Sequence, residues 1–325
     1  MGISKEKLDA LQKTFGKGSI MKMNEAPDLD LTFISSGSLD LDHALGGGFP
    51  LGRIVEIYGP ESSGKTTLAI HAIAEAQKEG LVCAFVDAEH AFDKTYAEAL
   101  GVDTDELLIS QPDYGEQALD LVDAIIDTQE VSVIVVDSTS TLTPKSELEG
   151  EMEQSAVGTQ ARMLSKGLRK ITGKAKKNNV LVIFISQLRE KIGVMFGSPE
   201  VVGVGNAMKF YASQRVDVRR STQVKDKQSG EAEGNITRAK VVKNKVAPPF
   251  KVAEYVIKFG VGIDKDQEIF DLAVAMNIIE KAGSWFSYDG TKLGQGSSTA
   301  LAIIKDNPEL MDNLKALVIE GLKQQ

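Results

Sequence analysis

The stretch "GPESSGKT", residues 59–66, decides the fold. It matches G-x-x-x-x-G-K-[ST], follows the apolar run "RIVEIYG" (53–59) and opens the helical pattern "TTLAIHAIAEAQKEG". Strand, turn and helix in that order make a phosphate cradle. Gly59 and Gly64 let the backbone curl so that successive N–H groups point inward, and the helix amino end adds partial positive charge. In such a cradle Lys65 reaches the β- and γ-phosphates and the Thr66 hydroxyl ligates Mg²⁺. Pro60, Glu61, Ser62 and Ser63 complete the loop, and Thr67 stands beside Thr66 in the first helical turn.

Outward from the cradle, three more continuous apolar runs alternate with amphipathic stretches: "LVCAFVD" (81–87), "VSVIVVD" (131–137) and "VLVIFIS" (180–186). Uninterrupted runs of this kind belong to strands buried on both faces of a parallel sheet. "QRVDVRR" (214–220), "RAKVVKNK" (238–245) and "AEYVIKF" (253–259) alternate more and lie close together, which predicts an antiparallel extension at one edge. The expected fold is α/β: a P-loop ATPase core on a mostly parallel twisted sheet with that edge extension. A helical arm precedes it and a small C-terminal α/β domain follows.

The expected divisions are 1–33 for the arm and linker, 34–263 for the core and 264–325 for the last domain. In the arm, "SKEKLDALQKTF" predicts a helix capped by Ser4 with Leu8, Leu11 and Phe15 on one face. In the last domain, "DQEIFDLAVAMNIIEKAG" and "NPELMDNLKALVIEGLKQQ" predict helices around a small hairpin, "SWFSYDGTKLGQG".

Composition limits the partners. The chain has 325 residues, 42% of them hydrophobic, and a net charge of −9, which excludes nucleic-acid binding by overall charge but leaves room for a local basic groove. One cysteine, Cys83, excludes an intramolecular disulfide and fits a reducing compartment. No apolar run reaches a membrane span, so a cytoplasmic protein without membrane contact is expected.

Carboxylates and an amide stand at strand ends. Asp137 closes "VSVIVVD", where strand ends converge beside the phosphate loop, and is placed to hold the metal's water shell. "FVDAEHAFD" (85–93) offers Glu89 to orient or deprotonate an attacking water, with Asp87 and His90 in local turn hydrogen bonds. His43 and His71 read as structural. Gln187 directly follows the fourth buried run; on spacing alone it is equally a γ-phosphate sensor and a local capping residue.

Polynucleotide signals are of a different kind. "QARMLSKGLRKITGKAKK" (160–177) contains seven basic residues and no acidic one. Leu164, Leu168, Ile171 and Ala175 form an apolar face, with Arg162, Lys166, Arg169 and Lys177 largely opposite. Such a helix is either a solvated face or a phosphate contact. Two long loops flank it, about 149–158 and about 188–205, and loops of that length are usually functional or disordered. Their side chains Val157, Ile192, Val194, Met195 and Phe196 suit wedging between bases or burial against a partner. "NAMKFYASQR" adds Lys209, Phe210 and Tyr211, which fit a subunit contact or a hinge. In "KVVKNK" (240–245), strand alternation puts Lys243 and Lys245 on one face with Val241, and Lys240, Val242 and Asn244 on the other. Their target is solvent unless a counter-charge is brought to them.

With these residues in view, the chain resembles the bacterial RecA family of recombinases. "GPESSGKTTL", "DAEHAFD", "SQPDYGEQAL", "VIVVDSTSTLTPKSELEGE", "KIGVMFGSPE", "NAMKFYAS", "AKVVKNKVAPPF" and "EKAGSWFSYDG" stand in order where that family has its signatures, from about residue 2 to about residue 320. One departure is "ISQLREK", with Ser186 and Glu190 where the family usually has "INQIR". The resemblance implies an ATP- and Mg²⁺-dependent helical filament of many copies on single-stranded DNA, pairing it with a homologous duplex and exchanging strands. It implies roles for Lys65 and Thr66 on phosphate and metal, Glu89 on water, Asp137 in the metal site and Gln187 as γ-phosphate sensor. It places Asp93 and Tyr96 on adenine, Arg162 and Arg169 on DNA phosphates, and Val157 and Ile192 between base triplets. Arg189, Gly203, Gly205 and Asn206 fall within or beside the second DNA loop. Lys209 and Phe210 would lie at the subunit interface. Lys243 and Lys245 would reach the γ-phosphate held by the next subunit. The arm would dock on a neighbouring copy, and a LexA-type repressor becomes a candidate partner.

Two other readings compete. A small-molecule phosphotransferase would need an arginine-rich lid and an acceptor pocket, and neither is recognisable. A scaffold that binds ATP only to assemble would not need Lys65, Glu89 and Asp137 together.

Overall fold

The computed structural model describes residues 3–17, 19–22, 31–151, 158–190, 200–203, 206–225 and 229–324. Its main sheet runs, from one edge to the other, Gly262–Ile263, Val252–Lys258, Ala232–Asn244, Gln214–Lys225, Ile54–Gly59, Leu181–Glu190, Val131–Asp137, Val82–Asp87 and Leu108–Ser110. The P-loop strand Ile54–Gly59 is therefore central, parallel to Leu181–Glu190 on one side and to the start of Gln214–Lys225 on the other. Antiparallel pairing begins only with the next strand outward, Ala232–Asn244. A short strand, Glu200–Val202, pairs with the far end of Leu181–Glu190.

The continuous apolar runs have a direct explanation. Val133 and Val135 enter one core, with the P-loop helix Lys65–Lys78, while Ile134 and Val136 enter the other, with helices Gly115–Thr128 and Thr159–Lys177. Leu181, Ile183 and Ile185 alternate with Val182 and Phe184 in the same way. Period two persists, but both faces are covered, so apolar residues fill both. Burying a side chain the size of Ile134 or Phe184 stabilises the fold by roughly 1.5–3 kcal/mol. The edge strand Leu108–Ser110 escaped the sequence reading because it is three residues long and leaves Leu108 and Ile109 each 51% exposed.

One departure concerns "KVVKNK". The register between Ala232–Asn244 and its neighbour shifts between Val241 and Lys243, a bulge at Val242. Val241 stays in the core beside the P-loop helix, and Asn244 follows it to that side, donating to the carbonyl of Leu45 (2.9 Å). The lysines are thrown to the opposite side, so Val241 does not share their face. The extra residue, which strict alternation cannot anticipate, is the reason.

Residues 1–32 form one compact unit and residues 33–325 another. In the first, helix Lys5–Phe15 begins after Ser4, but the serine side chain makes no capping bond; only its carbonyl is used, by the N–H of Leu8. Leu8 is buried whereas Phe15 is 72% exposed, so the predicted apolar face is covered at one end only.

In the second unit, the region after residue 264 has its own core, built on Phe270, Phe286, Leu293, Ile304, Leu314 and Val318. Helix Lys265–Ala275 stops earlier than its pattern predicts, because Asn277 takes a left-handed conformation (φ 56°) and turns the chain into strand Glu280–Ala282. The hairpin Trp285–Tyr288 and Thr291–Gln295 follows, then helices Ser297–Lys305 and Pro308–Lys323.

Glu268, on helix Lys265–Ala275, ties this region to the helix Leu39–Leu45. Its buried carboxylate accepts from the Ser38 hydroxyl and from the N–H groups of Leu39 (3.1 Å) and Asp40 (3.3 Å). Burial outweighs these bonds and raises its pKa to about 7. The folded protein thus holds a proton that the unfolded chain, at about 4.5, has released. Stability from this group is gained as pH falls from about 7 toward 4.5 and lost as pH rises through 7. Thermal melts of the wild type and Glu268→Gln across that window should diverge, the wild type gaining up to about 3 kcal/mol relative to the variant at the acid end. A constant difference across the window would refute the assignment.

Candidate active site

The cradle is tight. Gly59 has no room for a side chain, since a Cβ there would lie 2.0 Å from the carbonyl oxygen of Val218. Gly64 is left-handed (φ 92°), and a Cβ on it would strike Ile257 at 2.5 Å. These two positions make the loop that precedes helix Lys65–Lys78. Inside it, the Ser63 hydroxyl is buried and has no hydrogen-bond partner within the protein. The Lys65 ammonium is also buried and donates to the Pro60 carbonyl at 2.6 Å. Desolvation lowers its pKa, partly offset by Asp137, Glu89 and Glu61. A hydroxyl without a partner and a poorly solvated cation side by side describe a site built for an anion.

The Thr66 hydroxyl donates to Asp137 Oδ2 at 2.6 Å. Asp137 is pushed up to about 6, first by burial and then by Glu89 and Asp87, against the Thr66 bond and Lys65. The peptide bond after it, Asp137–Ser138, is cis. Among the described residues no three acidic, histidine or cysteine side chains gather into a metal cage. Thr66 and Asp137 present one hydroxyl and one carboxylate oxygen, donors of the hard type that a small divalent cation takes together with water.

Glu89 follows strand Val82–Asp87, and its N–H is fixed by the Asp137 carbonyl at 3.2 Å. Its carboxylate accepts from Gln187 Nε2 at 2.7 Å, so residues 98 positions apart meet. The Gln187 side chain thus faces the carboxylate of Glu89. Asp87 accepts from the N–H groups of Ala91 and Phe92 and from Gln111, the local role expected of it. His71 Nε2 accepts from Ile263 N–H and its pKa falls to about 4 on burial, also a structural role.

Asp93 and Tyr96 stand at helix Lys94–Ala99. Asp93 caps it by accepting from Tyr96 N–H at 3.0 Å, a job the sequence reading had not given it. The Tyr96 hydroxyl lies 3.0 Å from that of Thr67, which joins this helix to the first turn of the P-loop helix.

Helix Thr159–Lys177 buries Leu164, Leu168, Ile171 and Ala175 as predicted and leaves Arg162, Lys166 and Arg169 exposed. Arg189 is exposed, and its side chain lies against Gly203. Asn206 precedes helix Ala207–Tyr211 without capping it. Val157, Ile192, Val194, Met195, Phe196 and Gly205 lie outside the described residues. Lys209 is exposed and Phe210 is 73% exposed. At the end of that helix, Lys243 Nζ donates to the carbonyls of Lys209 (2.5 Å) and Phe210 (3.4 Å), and Lys245 Nζ to that of Phe210 (3.4 Å). Both ammonium groups therefore rest on the negative end of one short helix. Burial, with Lys245 and Arg215 nearby, lowers the pKa of Lys243.

Sequence reasoning passed over the hydroxyl run "STST" (138–141) that follows Asp137. Thr139 Oγ1 lies 2.8 Å from Ser186 Oγ, and Ser140 Oγ accepts from Gln187 N–H at 3.1 Å. Four hydroxyl residues in a row at a sheet's carboxyl edge were the available signal.

Comparison with known proteins agrees over nearly the whole chain. Residues 3–264 match the family model described as the RecA N-terminal domain, and residues 267–323 that of the RecA C-terminal domain. The chain is 59% identical to "Protein RecA" of Cytophaga hutchinsonii over 309 residues, 95% of this chain and 87% of that protein. It is 57% identical to "Protein RecA" of Bacteroides thetaiotaomicron over 330 residues, 99% of each. The corresponding protein of Porphyromonas gingivalis is 57% identical over 318 residues, 98% of this chain and 93% of its own length.

Proposed function

The chain belongs to the RecA family, and from that premise we propose how its residues divide the work of an ATP-driven recombinase. It is a DNA-dependent ATPase of homologous recombination and repair, a nucleotide-binding protein that binds DNA and self-associates. No helix among the described residues is long and apolar enough to cross a membrane.

The nucleotide is ATP with Mg²⁺. The P-loop N–H groups, the Ser63 hydroxyl and Lys65 take the phosphates, and Thr66 and Asp137 hold the metal. Held by Thr66 and Asp137, Mg²⁺ would supply charge neutralisation to the phosphates. Glu89 orients the attacking water and accepts its proton, and Gln187 holds Glu89 until a γ-phosphate competes for its amide. Tyr96, with Asp93, flanks the adenine. The observation that carries this reading is the bond between Gln187 Nε2 and Glu89 Oε1, which joins the water-activating carboxylate to the strand leading into the second DNA loop.

The DNA is a single strand paired with a homologous duplex, in a helical filament of many copies. Arg162, Arg169 and Arg189 meet phosphates, with Gly203, Gly205 and Asn206 giving the backbone close approach. Val157 and Ile192 separate bases. Residues 1–33 form the arm that engages a neighbour, the core spans 34–263 and the last domain 264–325. Lys209, Phe210, Lys243 and Lys245 lie at the subunit contact, and a LexA-type repressor binds the assembled form in the cytoplasm.

ATP hydrolysis with and without single-stranded DNA tests the reading. Turnover should rise by about a thousandfold or more on DNA, the scale expected when a trans-acting cation completes the site. Turnover requiring a small acceptor would establish the phosphotransferase instead, and binding without turnover the scaffold.

A further inference from the structure

The segment Thr139–Ser140 lies between two functional elements and is hydrogen-bonded to both. On one side it is joined to strand Leu181–Glu190. Thr139 N–H donates to the Ile185 carbonyl (2.8 Å), Thr139 Oγ1 meets Ser186 Oγ (2.8 Å), and Ser140 Oγ accepts from Gln187 N–H (3.1 Å). On the other side stands Gln160, in the first turn of the basic helix and two residues before Arg162. Its Nε2 faces three carbonyls, those of Thr139 (3.3 Å), Ser140 (3.3 Å) and Leu142 (3.1 Å).

An amide nitrogen carries two protons and cannot satisfy three acceptors at once. The Gln160 side chain therefore sits at a cup of carbonyls that it can only share, and two of the three contacts are long at 3.3 Å. A sub-ångström shift of the helix is enough to exchange one partner for another. Thr139 and Ser186 are fully buried and Ser140 is nearly so, which makes the sensor side of the segment the rigid one. Movement at the helix start is thus delivered through Ser140 to the backbone of Gln187, whose side chain holds Glu89.

We infer that Gln160 and Ser140 are positioning residues that couple occupation of the basic helix by DNA to the placement of Gln187 and Glu89. The inference rests on the reading of Glu89 as the water-activating group and of the basic helix as a DNA contact. It gives Ser186 a purpose: its hydroxyl, with that of Thr139, locks the segment to the sensor strand. The route has one discrete element, the amide exchanging between carbonyls, which coupling requires.

The test uses the full chain and three variants, Gln160→Met, Ser140→Ala and the double variant. Turnover on single-stranded DNA should fall by about tenfold in each single variant, as for loss of one positioning contact, with KM for ATP and affinity for the strand within about twofold of wild type. The double variant should be no worse than the worse single one, because both interrupt one route. Ser140→Thr, which keeps the hydroxyl, should recover most of the rate, a rescue that a mere packing role would not produce. Unchanged turnover on DNA in Gln160→Met, additive losses in the double variant, or a parallel loss of strand affinity would each overturn the inference. Failure of the underlying reading is distinguishable: the wild type itself would then show no stimulation by DNA.

Discussion

Glu89→Gln is expected to stop ATP turnover while leaving ATP-dependent assembly on single-stranded DNA intact. A general base contributes about a hundredfold to ten-thousandfold, and the amide cannot accept the proton of the attacking water. The substitution is nearly isosteric. Its carbonyl oxygen can still accept from Gln187 Nε2, as the carboxylate does at 2.7 Å, so the contact between strand tip and sensor survives. Removing one acid also eases the raised pKa of Asp137, to which Glu89 contributes, so the metal pair Thr66 and Asp137 keeps or gains affinity. Hydrolysis would be followed by phosphate release and assembly by light scattering on DNA. Loss of assembly together with hydrolysis would sink the assigned role, since the base would then be part of the binding machinery.

The second large effect is expected at Lys243. A cation supplied in trans to a γ-phosphate is worth about a thousandfold or more in turnover. Among the described residues this ammonium forms no ion pair; it rests on the carbonyls of Lys209 and Phe210, next to Lys245. Its lowered pKa comes first from burial and then from that neighbour. A polyanion brought to the pair would relieve both penalties. Lys243→Ala should therefore cut turnover on DNA by about a thousandfold while nucleotide affinity of the unassembled protein stays unchanged. Lys245→Ala should follow it in direction. Normal hydrolysis on DNA in both variants would mean that these lysines simply face solvent.

What the sequence disclosed and what it withheld divide along a physical line. The P-loop is a local motif whose context lies within about twenty residues, and the structure adds only the clashes that make Gly59 and Gly64 necessary. The buried strands announce themselves because both faces are covered. Non-local facts were hidden. Nothing at position 89 or 187 says that the two side chains meet, since their contact depends on the sheet order that places Val131–Asp137 between their strands. Asp93 looked like a ligand contact, and its capping of Tyr96 needed the backbone to be seen. Strand Leu108–Ser110 is too short to print a pattern. The hydroxyls at 138–141 were visible as letters, but their partners Ser186 and Gln187 lie more than forty residues away.

The bulge at Val242 sets a rule for how this strand tolerates change. Which way Lys243 and Lys245 point is determined by a count of residues, not by the identity of those around them. Conservative exchanges at Val241, Val242 or Asn244 leave that count alone, so the segment can drift by substitution. Deleting the extra residue changes little, because Lys243 would follow Val241 directly and strict alternation would keep both ammonium groups on the side away from Val241. Pairing Val242 in register with every residue retained is another matter: it would carry both ammonium groups to the side that Val241 occupies and aim them into the core beside the P-loop helix. The reading frame of the pleat, rather than any one side chain, is the quantity that selection has to preserve here.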